Sequence, residues 1–136
     1  MISMRTHFIL YVQDQISATN FYRFVLDLEP VLNVPGMTEF SLGEDAVLGL
    51  MPELGIKKLL GDPLPDPQQA RGVPRAEVYF VVENARSYYD RALSKGSQQL
   101  SELAMRDWGD EVAYCLDLDG HVLAFAQREK PQPRLD

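Results

Sequence analysis

HFILYVQDQISATNFYRFVL, residues 7–26, places an apolar strand, a capping aspartate and an amphipathic helix in direct succession. The strand is hydrophobic at every position after His7, which favours a strand covered on both faces. Asp14 is a residue type that caps helices by accepting a free backbone amide. The buried stripe of the helix is predicted from apolar residues at helical spacing: Phe21, Phe24, Val25 and Leu28.

The same order returns in AEVYFVVENARSYYDRALSKG, residues 76–96, with Asn84 as the second cap and Gly96 as the helix end. His7 precedes its cap by seven residues, and Glu77 precedes Asn84 by the same number. The pieces TEFSL and AVLGLM follow the first copy, and DEVAYCLDL and HVLAFA follow the second. The order of strand, helix and further strands therefore occurs twice.

A segment rich in proline separates the two copies, and it includes five prolines between residues 51 and 75. A structureless connection of this length is uncommon inside a compact domain, so it is either a linker or a functional lid. We predict one domain, residues 1–136, with modules at about 5–51 and 75–127. The linker, residues 52–74, is predicted to contain one helical turn at GIKKLL.

Composition limits the classes of partner. Thirteen Lys and Arg against twenty Asp and Glu give a net charge of −7, which disfavours nucleic acid binding. No window approaches eighteen apolar residues, so no membrane span is predicted. The single cysteine, Cys115, cannot form an intrachain disulfide and is predicted to be a buried, inert thiol. A cytoplasmic protein is expected.

His121 follows the turn in DLDGHVLAFA, residues 117–126, and is one of only two histidines. Alternation along this strand puts Leu123 and Phe125 on one face, under a helix, and Ala124 on the other. His121 points with Leu123, so it is predicted to be a turn-exit residue and not a ligand.

Three stretches together resemble the vicinal oxygen chelate superfamily, which includes glyoxalase I, bleomycin-resistance proteins, fosfomycin-resistance enzymes and extradiol dioxygenases. They are residues 7–26, residues 76–96 and RDWGDEVAYCLDLDGHVLAF, residues 106–125. The resemblance implies an α+β fold of two βαβββ modules in pseudo-twofold relation, forming a cup-shaped mixed sheet with helices outside. It also implies a homodimer, since apolar strands leave edges that a second chain can cover.

In metal-dependent members of this superfamily, each module offers one ligand on its first strand and one on its last. Carried over by position, the first-strand sites are His7 and Glu77, whereas the last-strand sites are Gly49 and Ala124, which cannot ligate. No metal cofactor is therefore predicted, with His7 and Glu77 as weak candidates for a divalent ion. The two are also the candidate catalytic residues as an acid–base pair. Alternatively, both are polar residues tolerated at strand ends.

The remaining residues on the inward faces are mostly apolar and aromatic, as in a pocket for a flat or aromatic small molecule. The candidate ligand-binding residues are Ile9, Tyr11, Val47, Met51, Tyr79, Val81, Trp108 and Ala124. Alternatively, these side chains fill the interior or pack across a subunit interface.

Two functions fit this pattern. The first is a metal-free, small-molecule-binding protein similar to bleomycin-resistance proteins, which sequesters an organic or aromatic ligand; the acidic charge favours a cationic one. The second is a glyoxalase-like lyase or isomerase, or a dioxygenase-type enzyme, that uses His7 and Glu77. A third, weaker hypothesis is a dimerisation scaffold without a ligand.

Overall fold

The structure is a computed structural model that describes residues 4–128. It divides into two compact units between Arg71 and Gly72, here called the first and the second unit. The predicted domain bounds, 1–136, extend past the described residues at both ends. No helix within residues 4–128 combines the length and the apolarity that crossing a bilayer requires.

The first unit has a four-stranded sheet in the order β1-β4-β3-β2, in which β1 runs parallel to β4 and the other pairs are antiparallel. Its elements are β1 (Thr6–Val12), α1 (Gln15–Leu26), β2 (Leu32–Val34), β3 (Met37–Ser41), β4 (Ala46–Pro52), α2 (Glu53–Leu60) and a 3₁₀ turn (Pro67–Ala70).

The second unit repeats this order as β5-β8-β7-β6, again with its first and last strands parallel. Its elements are β5 (Glu77–Val81), α3 (Ala85–Ser94), β6 (Gln98–Met105), β7 (Asp110–Leu116) and β8 (Val122–Arg128). Within the described residues, these two four-stranded mixed sheets and three α-helices confirm the predicted α+β fold of two βαβββ modules.

Both predicted caps start their helices. The Asp14 carboxylate accepts from the Ile16 amide at 3.1 Å, and the Asn84 side chain accepts from the Ser87 amide at 3.3 Å. In α3 the Gln127 side chain adds a second acceptor, because its Oε1 lies 2.8 Å from the Ala85 amide. Strand β8 therefore holds the start of α3 directly.

The predicted buried stripe of α1 is wrong in part. Phe21 and Val25 are buried, but Phe24 is 42% exposed and Leu28 is 40% exposed. The helix ends at Leu26, since Asp27 takes a left-handed backbone with φ 54°, and Leu28 therefore lies beyond it. The buried residues of α1 are Ala18, Thr19, Phe21, Tyr22, Val25 and Leu26.

The segment after β4 is more ordered than the single helical turn predicted for it. Helix α2 begins at Glu53, directly after β4, and packs against β1 and β4 through the buried Ile56. The buried Glu53 carboxylate binds Arg71 at 2.7 Å, and so ties the two ends of the segment together. Lys57 Nζ donates to the carbonyls of Gly61 and Leu64 and closes the helix end.

Candidate functional site

The predicted residues of the first unit share one face of its sheet. Thr38 of β3 bonds Thr19 of α1, with the two hydroxyl oxygens 2.8 Å apart, so Thr38 marks the face that the helix covers. Glu39 and its partner Gly49 lie on the opposite face. The parallel register brings three pairs to that face: His7 with Val47, Ile9 with Gly49, and Tyr11 with Met51. Their binding of a ligand stays a prediction.

His7 has a carboxylate partner that the sequence did not reveal. Its Nδ1 lies 3.5 Å from Oε2 of Glu39, and the two side chains are 36% and 21% exposed. Glu39 lies in the predicted strand piece TEFSL, but its pairing with His7 depends on β4 lying between the two strands. The first unit thus presents an imidazole–carboxylate pair at a partly solvated position.

Gly49 lies directly between these two strands, and its missing side chain has a packing reason. A Cβ at this position would lie 3.0 Å from Ile9 Cγ1 and 3.4 Å from Met37 Sδ. Both neighbours therefore pack over the glycine itself. A carboxylate-bearing side chain does not fit here without displacing them.

In the second unit, the candidate residues lie on the face opposite α3. The helix side is marked by Phe80 and Phe125, which stack with centroids 5.6 Å apart, and by Tyr88 of α3 against Phe125. The opposite face contains a cluster of the fully buried residues Val112, Ala124 and Ala126, with Tyr79 and Tyr114 packed against it. Glu77 and Val81 flank Tyr79 on β5, and both are exposed.

Ala124 lies at the centre of this face, between the two tyrosines. It pairs with Tyr79 on one side and with Tyr114 on the other, and it is 0% exposed. The small side chain lets both rings cover the strand. The position that the family resemblance assigns to a metal-binding carboxylate is thus filled by packed aromatic rings.

Trp108 is held over this face by the loop between β6 and β7. Gly109 has φ 95° and its amide donates to the Arg106 carbonyl at 3.1 Å, as in a three-residue hairpin loop closed by a glycine. The indole Nε1 then donates to the Tyr79 hydroxyl at 2.8 Å, although the side chain is 56% exposed. The loop therefore fixes an exposed indole in one orientation.

The hydrogen bonds continue from Tyr79 into the sheet. Its hydroxyl donates to Oδ2 of Asp110 at 2.5 Å, and Arg128 Nε donates to Oδ1 of the same carboxylate at 3.0 Å. Asp110 is 2% exposed, so Arg128 neutralises a charge that is almost fully buried. Burial, followed by the bond to Asp110, raises the pKa of Tyr79 above its ordinary value. The phenol therefore stays protonated.

Arg106 is a further residue of this face that sequence reasoning missed. Its guanidinium carbon lies 5.2 Å from the centroid of the Tyr114 ring. One terminal nitrogen, Nη2, donates to the Ser101 hydroxyl and to the carbonyls of Glu102 and Val112 at 2.8–2.9 Å. The register of β6 against β7 shifts in this region, and Arg106 binds carbonyls of both strands. A cation inside a hairpin loop gives no periodic signal in the sequence.

His121 lies at the exit of the turn, as predicted, and its side chain is buried there. It is 3% exposed, and its Nδ1 lies 2.9 Å from Oδ2 of Asp117. The other Asp117 oxygen accepts from the amides of His121 and Asp119, which closes the turn. Cys115 is buried as predicted, and burial raises the pKa of its thiol.

The residues present do not fit a complete metal centre. Within residues 4–128, no three His, Cys, Asp or Glu side chains come together as a group that could hold a metal ion. Gly49 and Ala124 offer no donor atom, and packed neighbours cover both positions. His7 belongs to the first unit and Glu77 to the second, and their pairing stays a prediction.

A separate cavity of about 460 Å³ lies beside the start of α1, outside the predicted site. The end of β2 and Pro35 in the turn after it form its other wall. The Gln15 amide crosses between the walls, donating to Val34 O and Thr38 Oγ1 and accepting from the Gly36 amide. These bonds use both ends of the amide to hold the turn in place, which gives this side chain a structural role.

Comparison with known proteins places these features in a family. A family model described as the Glyoxalase/Bleomycin resistance protein/Dioxygenase superfamily matches residues 5–125. A sequence search of curated proteins gave no match.

Solved structures share the fold at low sequence identity. A glyoxalase-related enzyme from Fulvimarina pelagi aligns with a TM-score of 0.77 and 18% identity, covering 93% of this chain and 89% of that one. A glyoxalase/bleomycin resistance protein/dioxygenase family enzyme from Burkholderia phytofirmans PsJN gives 0.75 and 12%, covering 92% and 98%. Lactoylglutathione lyase from Agrobacterium tumefaciens gives 0.68 and 21%, covering 93% and 95%. Identities this low establish the fold alone.

Proposed function

Because the chain belongs to the Glyoxalase/Bleomycin resistance protein/Dioxygenase superfamily, we propose that it binds a small organic ligand without a complete metal site. The ligand is aromatic and lies on the face of the second unit formed by Tyr79, Tyr114 and Trp108. Sequestration of such a compound, as in antibiotic resistance, is the role proposed for this binding.

The main support for this proposal is the burial of Ala124 beneath two tyrosine rings. A metal-dependent relative would need a carboxylate at this position, whereas here the space belongs to an apolar and aromatic surface. Trp108 adds an exposed ring whose orientation is fixed by the Tyr79 hydroxyl. Fixed aromatic surfaces bind flat ligands at low cost in conformational entropy.

The test combines metal analysis with ligand titration. The purified protein is analysed for divalent metal, and benzamide and indole are titrated while the backbone NMR signals of Ala124 and Tyr114 are followed. We expect substoichiometric metal and saturable shifts that Trp108→Ala weakens. Phe8→Ala is the matched control, because Phe8 is an aromatic residue of the first unit that is 66% exposed. Stoichiometric metal, or equal weakening in both variants, would contradict the proposal.

A second candidate function is a glyoxalase-like lyase or isomerase, or a dioxygenase-type enzyme, in which His7 and Glu77 carry the chemistry. The specific observation in its favour is the contact of His7 Nδ1 with Glu39, since a carboxylate at one nitrogen leaves the other for proton transfer. The assay is turnover of lactoylglutathione, with and without added zinc or nickel. Activity that His7→Gln and Glu77→Gln both abolish, with Glu39→Gln partly impaired, would put the enzyme first.

A cytoplasmic homodimer is the third part of the proposal. Among residues 4–128, the outer strands of each sheet have no further neighbour in their own unit, and Phe8 lies exposed on the edge strand β1. Light scattering at micromolar concentration tests this part. A single species with the mass of one chain would contradict it.

A further inference from the structure

The side chain of Arg106 has an unusual combination of properties for a cation in a protein of net charge −7. It is half-buried and lies against the Tyr114 ring. Its Nη2 donates hydrogen bonds to three oxygen atoms. None of these acceptors is a carboxylate, and no acidic side chain among residues 4–128 lies within ion-pair distance of the guanidinium. The positive charge is therefore fixed in place and not neutralised.

The other two nitrogens of the Arg106 guanidinium, Nε and Nη1, differ in whether their N–H groups can donate to a ligand. Nε is buried and has no hydrogen-bond partner among residues 4–128. Nη1 makes no hydrogen bond to any described residue. A guanidinium has five N–H donors in a fixed plane, so Nη1 presents two oriented donors beside the aromatic face.

The neighbouring charges on this face differ in their state. Asp110 is neutralised by Arg128. Glu77 is exposed. Burial is the main cause that raises the pKa of Tyr114, and the negative charge of Glu77 raises that pKa further. Beyond about 8 Å, the remaining negative charge of the protein is largely screened at physiological ionic strength. For a ligand group at Nη1, the guanidinium is therefore the nearest charge.

From this geometry we propose that Arg106 binds the anionic group of an aromatic ligand, a carboxylate or a phosphonate, whose ring lies on Tyr79 and Trp108, beside the Tyr114 ring that the guanidinium covers. The inference rests on the proposed function and narrows its ligand to an organic anion. The proposed ligand charge is opposite to the positive charge that the net charge of the protein favours, because a fixed charge nearby outweighs screened charges at a distance. Charge-assisted bonds from arginine to carboxylate give both orientation and affinity.

The plain structural alternative is that Arg106 only repairs the irregular pairing of β6 with β7. In that case removal of its charge would destabilise the loop without selecting between ligands. A series of ligands with one ring and three charges separates the two roles: benzoate, benzamide and benzamidine. Binding is followed by NMR through the backbone signals of Ala124 and the indole N–H of Trp108, at constant ionic strength.

We expect benzoate to bind about tenfold more tightly than benzamide, and benzamidine to bind the most weakly. Arg106→Gln should bring benzoate down to the affinity of benzamide while leaving benzamide unchanged. Arg86→Gln is the matched control, since it removes the same charge from α3, where Arg86 lies 3.8 Å from Asp90. Glu77→Gln should tighten benzoate modestly, because it removes a like charge from the face.

Three results would overturn the inference while leaving the proposed function intact: equal affinities for benzoate and benzamide, a preference for benzamidine, or equal losses in the Arg106 and Arg86 variants. Failure of all three ligands to bind would overturn both proposals. If Arg106→Gln does not fold, the ranking of the three ligands on the unaltered protein decides, together with Arg106→Lys. That variant keeps the charge and should retain part of the preference for benzoate.

Discussion

Removing the Tyr79 hydroxyl tests whether the bonds from Trp108 through Tyr79 to Asp110 stabilise the second unit. Tyr79→Phe keeps the ring, so no cavity forms, but it takes one of two side-chain partners from a carboxylate that is 2% exposed. A hydrogen bond to a charged group contributes about 1.5–3 kcal/mol. The Trp108 N–H loses its acceptor cheaply, because this side chain is 56% exposed and can be hydrated. We expect the free energy of unfolding to fall by about 2 kcal/mol.

The assay is urea unfolding followed by circular dichroism and by the fluorescence of Trp108, the only tryptophan of the chain. Tyr11→Phe is the control, because the same atom is removed from a tyrosine of the first unit whose side chain is half-buried. Its effect should stay within about 0.5 kcal/mol. If the two variants lose the same stability, the network does not stabilise the unit and the reasoning fails.

The stability that the Tyr79 hydroxyl contributes should also depend on pH. The folded pKa of Tyr79 is raised above 10.0, mainly by burial, so the folded state holds this proton more tightly than the unfolded chain does. The resulting stability is fully present below pH 10 and is lost as the pH rises through the folded pKa. The difference between the unaltered protein and Tyr79→Phe should therefore be constant from pH 7 to 9 and shrink above pH 10. A difference that grows there would show that the sign is wrong.

Three further substitutions test other parts of the structure. Gly49→Ala places a Cβ 3.0 Å from Ile9 Cγ1 and should cost about 1 kcal/mol in urea unfolding; an unchanged midpoint would show free space. Ala124→Glu buries a carboxylate at a fully covered position and should cost about 3 kcal/mol or more at pH 7, but less at pH 4, where the group is protonated; equal losses at both pH values would contradict this. His121→Leu leaves the Asp117 carboxylate buried without its imidazole partner. It should reduce the free energy of unfolding by about 2 kcal/mol, which calorimetry detects as a lower melting temperature; an unchanged melting temperature would refute it.

The parts of the fold that the sequence predicted are those with local signals. Asp14 and Asn84 are caps recognisable from their own positions, and the strands before them, β1 and β5, are recognisable as largely apolar runs. The strands that the pattern did not predict, β2 and β6, lie at the outer edges of the sheets. All three residues of β2 are exposed, and so are most residues of β6. A strand without a buried face has no hydrophobic alternation to read.

In the candidate site, too, single residues were predictable from the sequence, whereas the contacts between them were not. Tyr79 and Trp108 were predicted to line a pocket from alternation and family resemblance, but their bond to each other requires the loop geometry at Gly109. Glu39 reaches His7 across an intervening strand. Arg106 becomes informative only when its acceptors are known and none of them is acidic. Such partnerships depend on the tertiary structure and leave no periodic trace in the chain.

The parallel pairing of the first and last strands in each unit has a consequence for how the chain folds during synthesis. Thr6 pairs with Ala46, and Glu77 pairs with Val122, so neither sheet can form its parallel ladder until its last strand, β4 or β8, has left the ribosome. Pairing over such separations is slow compared with helix formation. The apolar strand β1 must therefore wait beside a helix that has already formed, and during that interval it is the segment most exposed to aggregation and to chaperones.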